Sequence, residues 1–221
     1  MRAALCLALS GIPLYLLTGC NSTLPSEEAS GSKSTPTSVN ILIDVKNPSK
    51  SSGILTSSSQ NRAFAVGYGK YGIACAKSTF TEGVTPLGTF RVNAILSENQ
   101  FEMEPGLISQ SGKSKSYLEK NLFKNMSAID FKGDGETNEY GEGYISLAPV
   151  DSTPQPFEFN EYSGKLRWYS FAIHGTNDEN RVGKKITGGC LNVASEDLNV
   201  LLETVQLGDI VEITANGPCQ T

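Results

Sequence analysis

The chain has 221 residues with 18 Lys and Arg against 23 Asp and Glu, a formal net charge of −5, five Cys and a single His. This length fits one ordinary domain with some additional sequence, and the acidic balance argues against a nucleic-acid partner. One His excludes a His-rich metal site, while 22 Gly, 10 Pro and only 19% charged residues favour a turn-rich β protein.

The first twenty residues have the layout of an export signal. Arg2 precedes a mostly apolar run that is too short and too interrupted for a membrane span of about 20 apolar residues. Leu17-Thr18-Gly19-Cys20 resembles the lipobox of bacterial lipoproteins, in which the Cys becomes the lipid-modified N-terminus. We therefore expect a signal peptide at 1–19, a lipid on Cys20 that binds the membrane, and a location in the cell envelope on the periplasmic face of the outer or the inner membrane. The alternative is an ordinary signal peptide that ends at a chance Cys.

A flexible tether and one folded domain follow the signal. Residues 20–40 are rich in Ser, Thr and Pro and cannot bury enough apolar surface to fold. The domain is expected over 41–217, and its predicted strands are short β-branched or aromatic runs bounded by Gly, Pro or Ser. These runs are 41–45, 62–66, 72–76, 88–95, 144–147, 166–173 and 210–213.

One helix is predicted, at 195–205, where four apolar residues fall on one face. Ser195 is its expected N-cap, and Glu196 and Asp197 suit the positive end of the helix dipole. Residues 97–143 are polar and irregular, and we interpret them as an inserted loop or lid over the sheet.

Two motifs suggest ligands that their surroundings do not support. Residues 67–72 satisfy the dinucleotide pattern G-x-G-x-x-G, but no helix is predicted to begin there, so we expect a Gly-rich hairpin and no cofactor. Asp130 and Asp134 suggest a calcium loop, yet Lys132 and Gly141 stand where oxygen ligands belong. We therefore expect no metal, with a weak calcium site of another type as the alternative.

The reactive residues concentrate between 168 and 192. An apolar strand ends at His174, and Cys190 follows 16 positions later. A thiol attacks carbonyl groups as the thiolate, which an adjacent imidazole can generate. The pair Gly188-Gly189 permits a tight turn, so the Gly189 and Cys190 amides could face an oxyanion. The alternative is a structural His and a buried, inert Cys.

Three motifs in this order resemble the L,D-transpeptidase (YkuD-type) catalytic domain. They are His-Gly-Thr at 174–176 with Thr-Gly-Gly-Cys-Leu-Asn at 187–192, Thr-Pro-Leu-Gly-Thr-Phe-Arg-Val at 85–92, and the helix-then-strand ending at 197–211. Gly188 departs from the family pattern, which usually has a second His there. The resemblance implies a mainly β sandwich or barrel with one short helix after the Cys and a long insert at 97–143.

The resemblance also implies Cys-dependent acyl transfer on peptidoglycan stem peptides, with carbapenem-type β-lactams as inhibitors. Cys190 would be the nucleophile and His174 the general base, oriented by the Gly175 carbonyl, with Gly189 in the catalytic loop. Four residues would hold the turn or bind substrate: Thr187, Gly188, Asn192 and Thr176. Water as acceptor would give a carboxypeptidase or amidase instead. A non-catalytic envelope-binding lipoprotein of the same fold is the other alternative.

The remaining cysteines suggest a disulfide. If the signal is removed and Cys20 carries lipid, three pairings remain among Cys75, Cys190 and Cys219 in an oxidising envelope. A free thiol at Cys190, as the catalytic role requires, leaves Cys75–Cys219 as the candidate. The alternative is two separate thiols.

Overall fold

The computed structural model describes residues 36–122, 139–150, 158–162 and 164–220. Contacts group Ser34–Thr221 into one compact unit. The predicted signal peptide, the predicted lipidation site Cys20 and the suggested calcium loop at 130–134 lie outside the described residues. Within the described residues, no helix is both long and apolar enough to cross a membrane.

Strands dominate the described chain, as the sequence predicts. The strands are β1 Ser38–Ile43, β2 Ser52–Thr56, β3 Asn61–Ala65, β4 Tyr68–Gly69, β5 Gly72–Ala74, β6 Val84–Pro86, β7 Gly88–Ser97, β8 Gln100–Met103, β9 Gly143–Pro149, β10 Glu158–Tyr162, β11 Lys165–Tyr169, β12 Phe171–His174, β13 Lys185–Thr187, β14 Leu191–Asn192 and β15 Ile210–Ala215. The α-helices are α1 Pro105–Ser111, α2 Lys115–Asn121 and α3 Ser195–Thr204. Short 3-10 turns occur at Pro48–Lys50 and Glu179–Arg181.

Nine strands form one curled mixed sheet. Their order is β14-β12-β9-β7-β15-β1-β2-β3, with β8 paired to β7. The pairs β1–β15 and β12–β14 are parallel, and the other pairs of this sheet are antiparallel. The mainly β class is therefore confirmed, and the strands that carry the reactive residues lie at one end of the sheet.

Both faces of the central strands are buried, which explains their nearly continuous apolar sequence. The main core contains Ile173 and Leu191 together with Leu198 and Leu201 of α3. A second cluster on the other side includes Ala94, Leu96, Tyr144, Trp168 and Ala172 and also buries Leu107 and Leu118 of the first two helices. Each buried Leu contributes roughly 1.5–3 kcal/mol, so the two clusters fix the sheet from both sides.

The structure corrects two predictions about helices. The segment predicted to be irregular contains β8, α1 and α2 in its described part. Each of those helices has a single buried apolar anchor, Leu107 or Leu118, so the sequence lacks an amphipathic stripe. Ser195 is not an N-cap either, because Ala194 occupies that position and the Ser195 amide instead donates to Glu179 Oε1 at 3.1 Å.

The structure also corrects three predictions about strands. The predicted strand 166–173 is interrupted at Ser170, which separates β11 from β12. The first strand begins at Ser38, three residues before the predicted start of the domain at 41. Residues 67–72 do not form a hairpin, since β4 pairs with β13 and β5 pairs with β6.

A disulfide between Cys75 and Cys219 ties the C-terminal segment to β5, with 5.0 Å between the two Cα atoms. Beside it the Cys75 amide donates to the Gln220 carbonyl at 2.7 Å, and the Gln220 amide donates to the Ile73 carbonyl at 2.9 Å. The strand β5 runs parallel to β6, which contains Thr85. The end of the chain is thereby bound to the strand pair that carries this threonine.

Candidate active site

Parallel pairing of β12 with β14 brings His174 and Cys190 to neighbouring strands. The register aligns Ile173 with Leu191, so Cys190, which immediately precedes β14, lies beside Ala172. Ile173 and Leu191 face the main core, and alternation turns the His174 and Cys190 side chains to the opposite face. Two residues that are distant in sequence therefore share one surface of the sheet.

The His174 imidazole is buried and held in one tautomer. Its Nδ1 lies 2.5 Å from the Gly175 carbonyl oxygen. A carbonyl can only accept, so Nδ1 carries the proton and Nε2 has the lone pair. The ring lies edge-on to Tyr140 at 4.3 Å and parallel to Tyr144 at 6.3 Å between centroids. Burial lowers the pKa of His174 to about 4; the Gly175 bond opposes this shift, and the charge of Arg181 adds to it.

Cys190 is partly exposed and is the free cysteine of the described residues. Its Sγ donates to the Ser170 carbonyl across 3.7 Å. Burial raises the pKa of the thiol to about 12, although a hydrogen bond from the Ala172 backbone favours the thiolate. At neutral pH, both the thiol and the His174 imidazole are therefore uncharged.

A buried group of hydroxyls adjoins the thiol. The Tyr144 hydroxyl donates to the Ser170 carbonyl at 2.7 Å, so this carbonyl is shared with Cys190. Ser170 Oγ lies 2.8 Å from the Tyr144 hydroxyl and accepts from Ser146 Oγ at 2.9 Å. Sequence analysis did not identify these residues. The available signal was a serine inside the apolar run 168–173 and polar residues that alternate in β9.

Two threonine hydroxyls hold the loop that carries the thiol. Thr187 Oγ1 donates to the Cys190 carbonyl at 2.5 Å and accepts from the Gly189 amide at 3.1 Å. Thr85 Oγ1 donates to the Gly189 carbonyl at 2.6 Å and accepts from the Gly69 amide at 2.9 Å. The Gly189 amide is thus hydrogen-bonded within the loop, and its role toward an oxyanion stays a prediction.

The remaining predicted site residues, Asn192, Thr176 and Gly188, differ in burial and in hydrogen bonding. Asn192 is buried, and its amide and carbonyl exchange hydrogen bonds with Gly67 at 3.1 and 2.9 Å. Thr176 is also buried and closes a turn, donating to the Asp178 carbonyl at 3.1 Å and accepting from the Asp178 amide at 3.2 Å. Gly188 is exposed, and a Cβ there would have no atom within 4 Å.

The arrangement suits nucleophilic attack on a carbonyl group. Cys190 is a partly exposed residue with a free thiol, and His174 has an unprotonated Nε2 on the same side of the sheet. Within the described ranges, no group of three His, Cys, Asp or Glu side chains is placed to hold a metal ion.

The neutral resting state predicts how the alkylation rate of Cys190 depends on pH. Because the pKa of the thiol is about 12 and that of His174 about 4, the thiolate fraction should rise about tenfold per pH unit from about pH 6 to 9. Intact-mass measurement of iodoacetamide labelling should show this rise without a plateau. Urea-unfolded protein, whose thiols titrate near their ordinary pKa of about 8.5, is the control. A plateau near neutral pH in the folded protein would instead indicate a preformed thiolate–imidazolium pair.

Substitution of two adjacent glycines by alanine should affect stability differently, with a clear loss at Gly189 and almost no change at Gly188. Gly189 has a φ of +126°, and a Cβ there would lie 3.0 Å from the Val84 carbonyl oxygen. Gly189→Ala should therefore lower the free energy of unfolding by about 1–3 kcal/mol and slow labelling of Cys190. Gly188→Ala, which adds the same methyl group at an open position, should stay within about 0.5 kcal/mol. Urea denaturation measures both, and equal losses would contradict the assigned loop geometry.

Solved L,D-transpeptidases resemble this fold at low identity. The Mycobacterium smegmatis enzyme aligns at 13% identity with a TM-score of 0.38, covering 80% of this chain and 58% of its own. L,D-transpeptidase 3 of Mycobacterium tuberculosis, solved with a faropenem-derived adduct, aligns at 12% with a TM-score of 0.43, covering 80% and 60%.

Sequence comparison identifies the family. YqjB of Bacillus subtilis, named as a candidate L,D-transpeptidase, is 26% identical over 133 residues. The match covers 60% of each protein, so the chain spans less than two thirds of this relative. The family model for the L,D-transpeptidase catalytic domain, YkuD, matches residues 41–213, which is most of the chain. The chain therefore belongs to the YkuD family of L,D-transpeptidase catalytic domains.

Proposed function

We propose that this protein transfers acyl groups from peptidoglycan stem peptides to an amine through a thioester on Cys190. The observation that carries the proposal is the placement of a partly exposed cysteine with a free thiol and a tautomer-fixed imidazole on one face of paired strands. Membership of the L,D-transpeptidase family supplies the substrate class.

In the proposed reaction, Cys190 Sγ attacks the carbonyl carbon of a peptide bond between an L- and a D-centre. The thiol proton passes to His174 Nε2 as the C–S bond forms and the carbonyl electron pair moves to oxygen. Collapse of this intermediate breaks the C–N bond, and His174 returns the proton to the leaving amine. A second amine then attacks the thioester, loses its proton through His174, and restores the Cys190 thiol.

The resting hydrogen bonds suit a reaction that begins from neutral groups. The thiol donates to the Ser170 carbonyl, so transfer to His174 requires this weak bond to be exchanged. The Tyr144 hydroxyl, 2.7 Å from the same oxygen, keeps that carbonyl hydrogen-bonded when the thiol leaves. Release of the proton therefore leaves no buried carbonyl without a partner.

Carbapenem labelling tests the nucleophile directly. Because β-lactam ring opening adds the whole inhibitor, imipenem should increase the protein mass by one molecule and place it on Cys190. Cys190→Ala should give no adduct, and His174→Ala should slow acylation by about 10²–10⁴-fold, as expected on loss of a general base. Peptide mapping by mass spectrometry identifies the modified residue.

The outcomes separate the alternatives. If folded wild-type protein reacts with iodoacetamide at Cys190 but never with imipenem, the acyltransferase proposal fails and a non-catalytic envelope-binding protein is favoured. If the adduct forms, product analysis on disaccharide peptides distinguishes a cross-link from trimming by water. Trimming alone would identify a carboxypeptidase or amidase.

We also propose that Cys20 is lipid-modified and anchors the domain at the membrane. The support is the lipobox-like segment at 17–20 followed by a Ser/Thr/Pro-rich tether. Mass spectrometry of the mature protein should find a diacylated N-terminal Cys20. Cys20→Ser should move the protein from the membrane fraction to the soluble fraction. An unmodified N-terminal residue in the wild type would contradict the proposal.

A further inference from the structure

Tyr71 is an exposed aromatic residue that the backbone around it holds in place. It is 58% exposed, more than any other large apolar residue of the described chain. Its amide donates to the Gly83 carbonyl at 2.7 Å, and its carbonyl accepts from Gln220 Nε2 at 2.7 Å. Gln220 follows Cys219, whose disulfide to Cys75 fixes this segment. A rigid, exposed tyrosine is typical of a binding hot spot, because little conformational entropy is lost when a ligand covers it.

The Tyr71 ring adjoins the loop that carries the nucleophile. A Cβ on Gly83 would lie 2.5 Å from Tyr71 Cδ2, so the ring packs directly on this glycine. The Gly83 amide donates to the Gly188 carbonyl at 2.6 Å. Gly188 is exposed and stands two residues before Cys190. A ligand that covers Tyr71 therefore lies next to the exposed turn that precedes the nucleophile.

Two lysine side chains flank Tyr71. Lys70 Nζ lies 4.9 Å from the centroid of the Tyr71 ring. Lys185 Nζ lies 3.7 Å from the place that a Cβ on Gly72, the residue after Tyr71, would occupy. Both lysines are exposed, and neither forms an ion pair with another residue that the structure describes. We refer to Lys70, Tyr71 and Lys185 as the Tyr71 patch.

The segments around the Tyr71 patch are basic in an acidic chain. Residues 44–50, 67–83 and 176–188 together contain seven Lys or Arg and four Asp or Glu, whereas the rest of the sequence contains 11 and 19. These segments adjoin one another, since β4 pairs with β13 and a Cβ on Gly183 would lie 3.5 Å from Ser49 Cα. The local excess of positive charge favours an anionic partner.

A rigid aromatic ring between two ammonium groups fits a saccharide that carries carboxylates. The C–H face of a sugar ring is apolar and can pack on tyrosine, while the tyrosine hydroxyl stays in contact with polar groups. A lysine ammonium is a compact charge on a flexible stem, so it can pair with carboxylates that approach from different directions. The glycan strand of peptidoglycan offers both groups side by side, because its sugar rings carry stem peptides with free carboxylates.

We propose that the Tyr71 patch binds the glycan strand of peptidoglycan, with a sugar ring packed on Tyr71 and stem carboxylates paired with Lys70 and Lys185. This inference rests on the proposed function, which supplies peptidoglycan as the substrate class. The Tyr71 patch takes no part in acyl transfer. It holds the domain on the polymer and keeps the catalytic loop beside the stem peptides.

The test measures binding by calorimetry with full-length Cys190→Ala protein, in which the acyl transfer cannot occur. Three ligands are compared: a disaccharide–stem peptide, the same stem peptide without sugars, and the disaccharide–stem peptide with its carboxylates amidated. Vesicles of equal parts phosphatidylglycerol and phosphatidylcholine are a fourth probe. The variants in this background are Tyr71→Ala, Tyr71→Phe, and Lys70→Gln combined with Lys185→Gln.

The chain offers a matched control in Tyr117. This tyrosine is 41% exposed, and Lys113 Nζ lies 5.2 Å from the centroid of its ring, but it belongs to α2. Tyr117→Ala therefore removes the same kind of side chain, with the same kind of lysine neighbour, outside the Tyr71 patch.

The parent protein should bind the disaccharide–stem peptide about 5- to 30-fold more tightly than the stem peptide alone, as expected for an aromatic hot spot. Tyr71→Ala should lose this preference through weaker binding of the sugar-bearing ligand only. Tyr71→Phe and Tyr117→Ala should retain it. The double lysine variant should lose most of the preference for free over amidated carboxylates, and its binding should depend less on salt than that of the parent.

Three results would overturn the assignment. One is a Tyr71→Ala protein that keeps the preference for the sugar-bearing ligand. The second is an equal loss of binding with and without sugars, which indicates a structural role for Tyr71. The third is vesicle binding that depends on Tyr71 in a protein without any sugar preference, which identifies a surface that faces the membrane.

Failure of the proposed function gives a different result. If wild type forms no imipenem adduct on Cys190, the acyl transfer proposal fails. The sugar preference of the Cys190→Ala proteins is measured without turnover, so it decides separately whether the Tyr71 patch binds the glycan strand.

Discussion

The buried hydroxyl of Thr85 is the interaction on which the active-site loop depends. It donates to the Gly189 carbonyl at 2.6 Å and accepts from the Gly69 amide at 2.9 Å, so one side chain joins β4, β6 and the residue before the nucleophile. Because β6 pairs with β5 and the disulfide ties β5 to the C-terminal segment, the loop is fixed through the rest of the domain. Loss of the hydroxyl would leave two backbone groups without partners, at about 1–3 kcal/mol each.

The apolar surroundings decide the charge state of the reactive groups. Burial raises the pKa of Cys190 and lowers that of His174, and both shifts favour the uncharged form. Tyr144 follows the same rule, since burial raises its pKa well above the ordinary value and keeps it a hydrogen-bond donor. The resting site therefore contains no thiolate–imidazolium ion pair. In the proposed reaction, charge develops only during attack on a substrate.

The sequence predicted best the strands and the helix whose apolar residues form a clear pattern. The strand Gly88–Ser97, which contains a nearly continuous buried run, and the helix Ser195–Thr204, which buries Leu198, Leu201 and Leu202, are close to their predicted bounds. The helices α1 and α2 were missed because a single buried leucine anchors each. The family motif pointed to His174 and Cys190, which lie on one face of the sheet. Thr85 and Ser170 act through contacts between segments distant in sequence. Such contacts depend on sheet register, which a single sequence does not specify.

Because the chain has a single His, only one imidazole is available for proton transfer. Gly188 has no side chain where the family pattern usually has a second His, and its surroundings are open. In the proposed reaction the proton acceptor is Nε2 of His174, because Gly175 already holds Nδ1. Tyr144 and Thr85 hold neighbouring carbonyls through neutral hydrogen bonds. The hydrogen-bonding side chains therefore fix the backbone around Cys190, while the nitrogen lone pair on this face of the sheet belongs to His174.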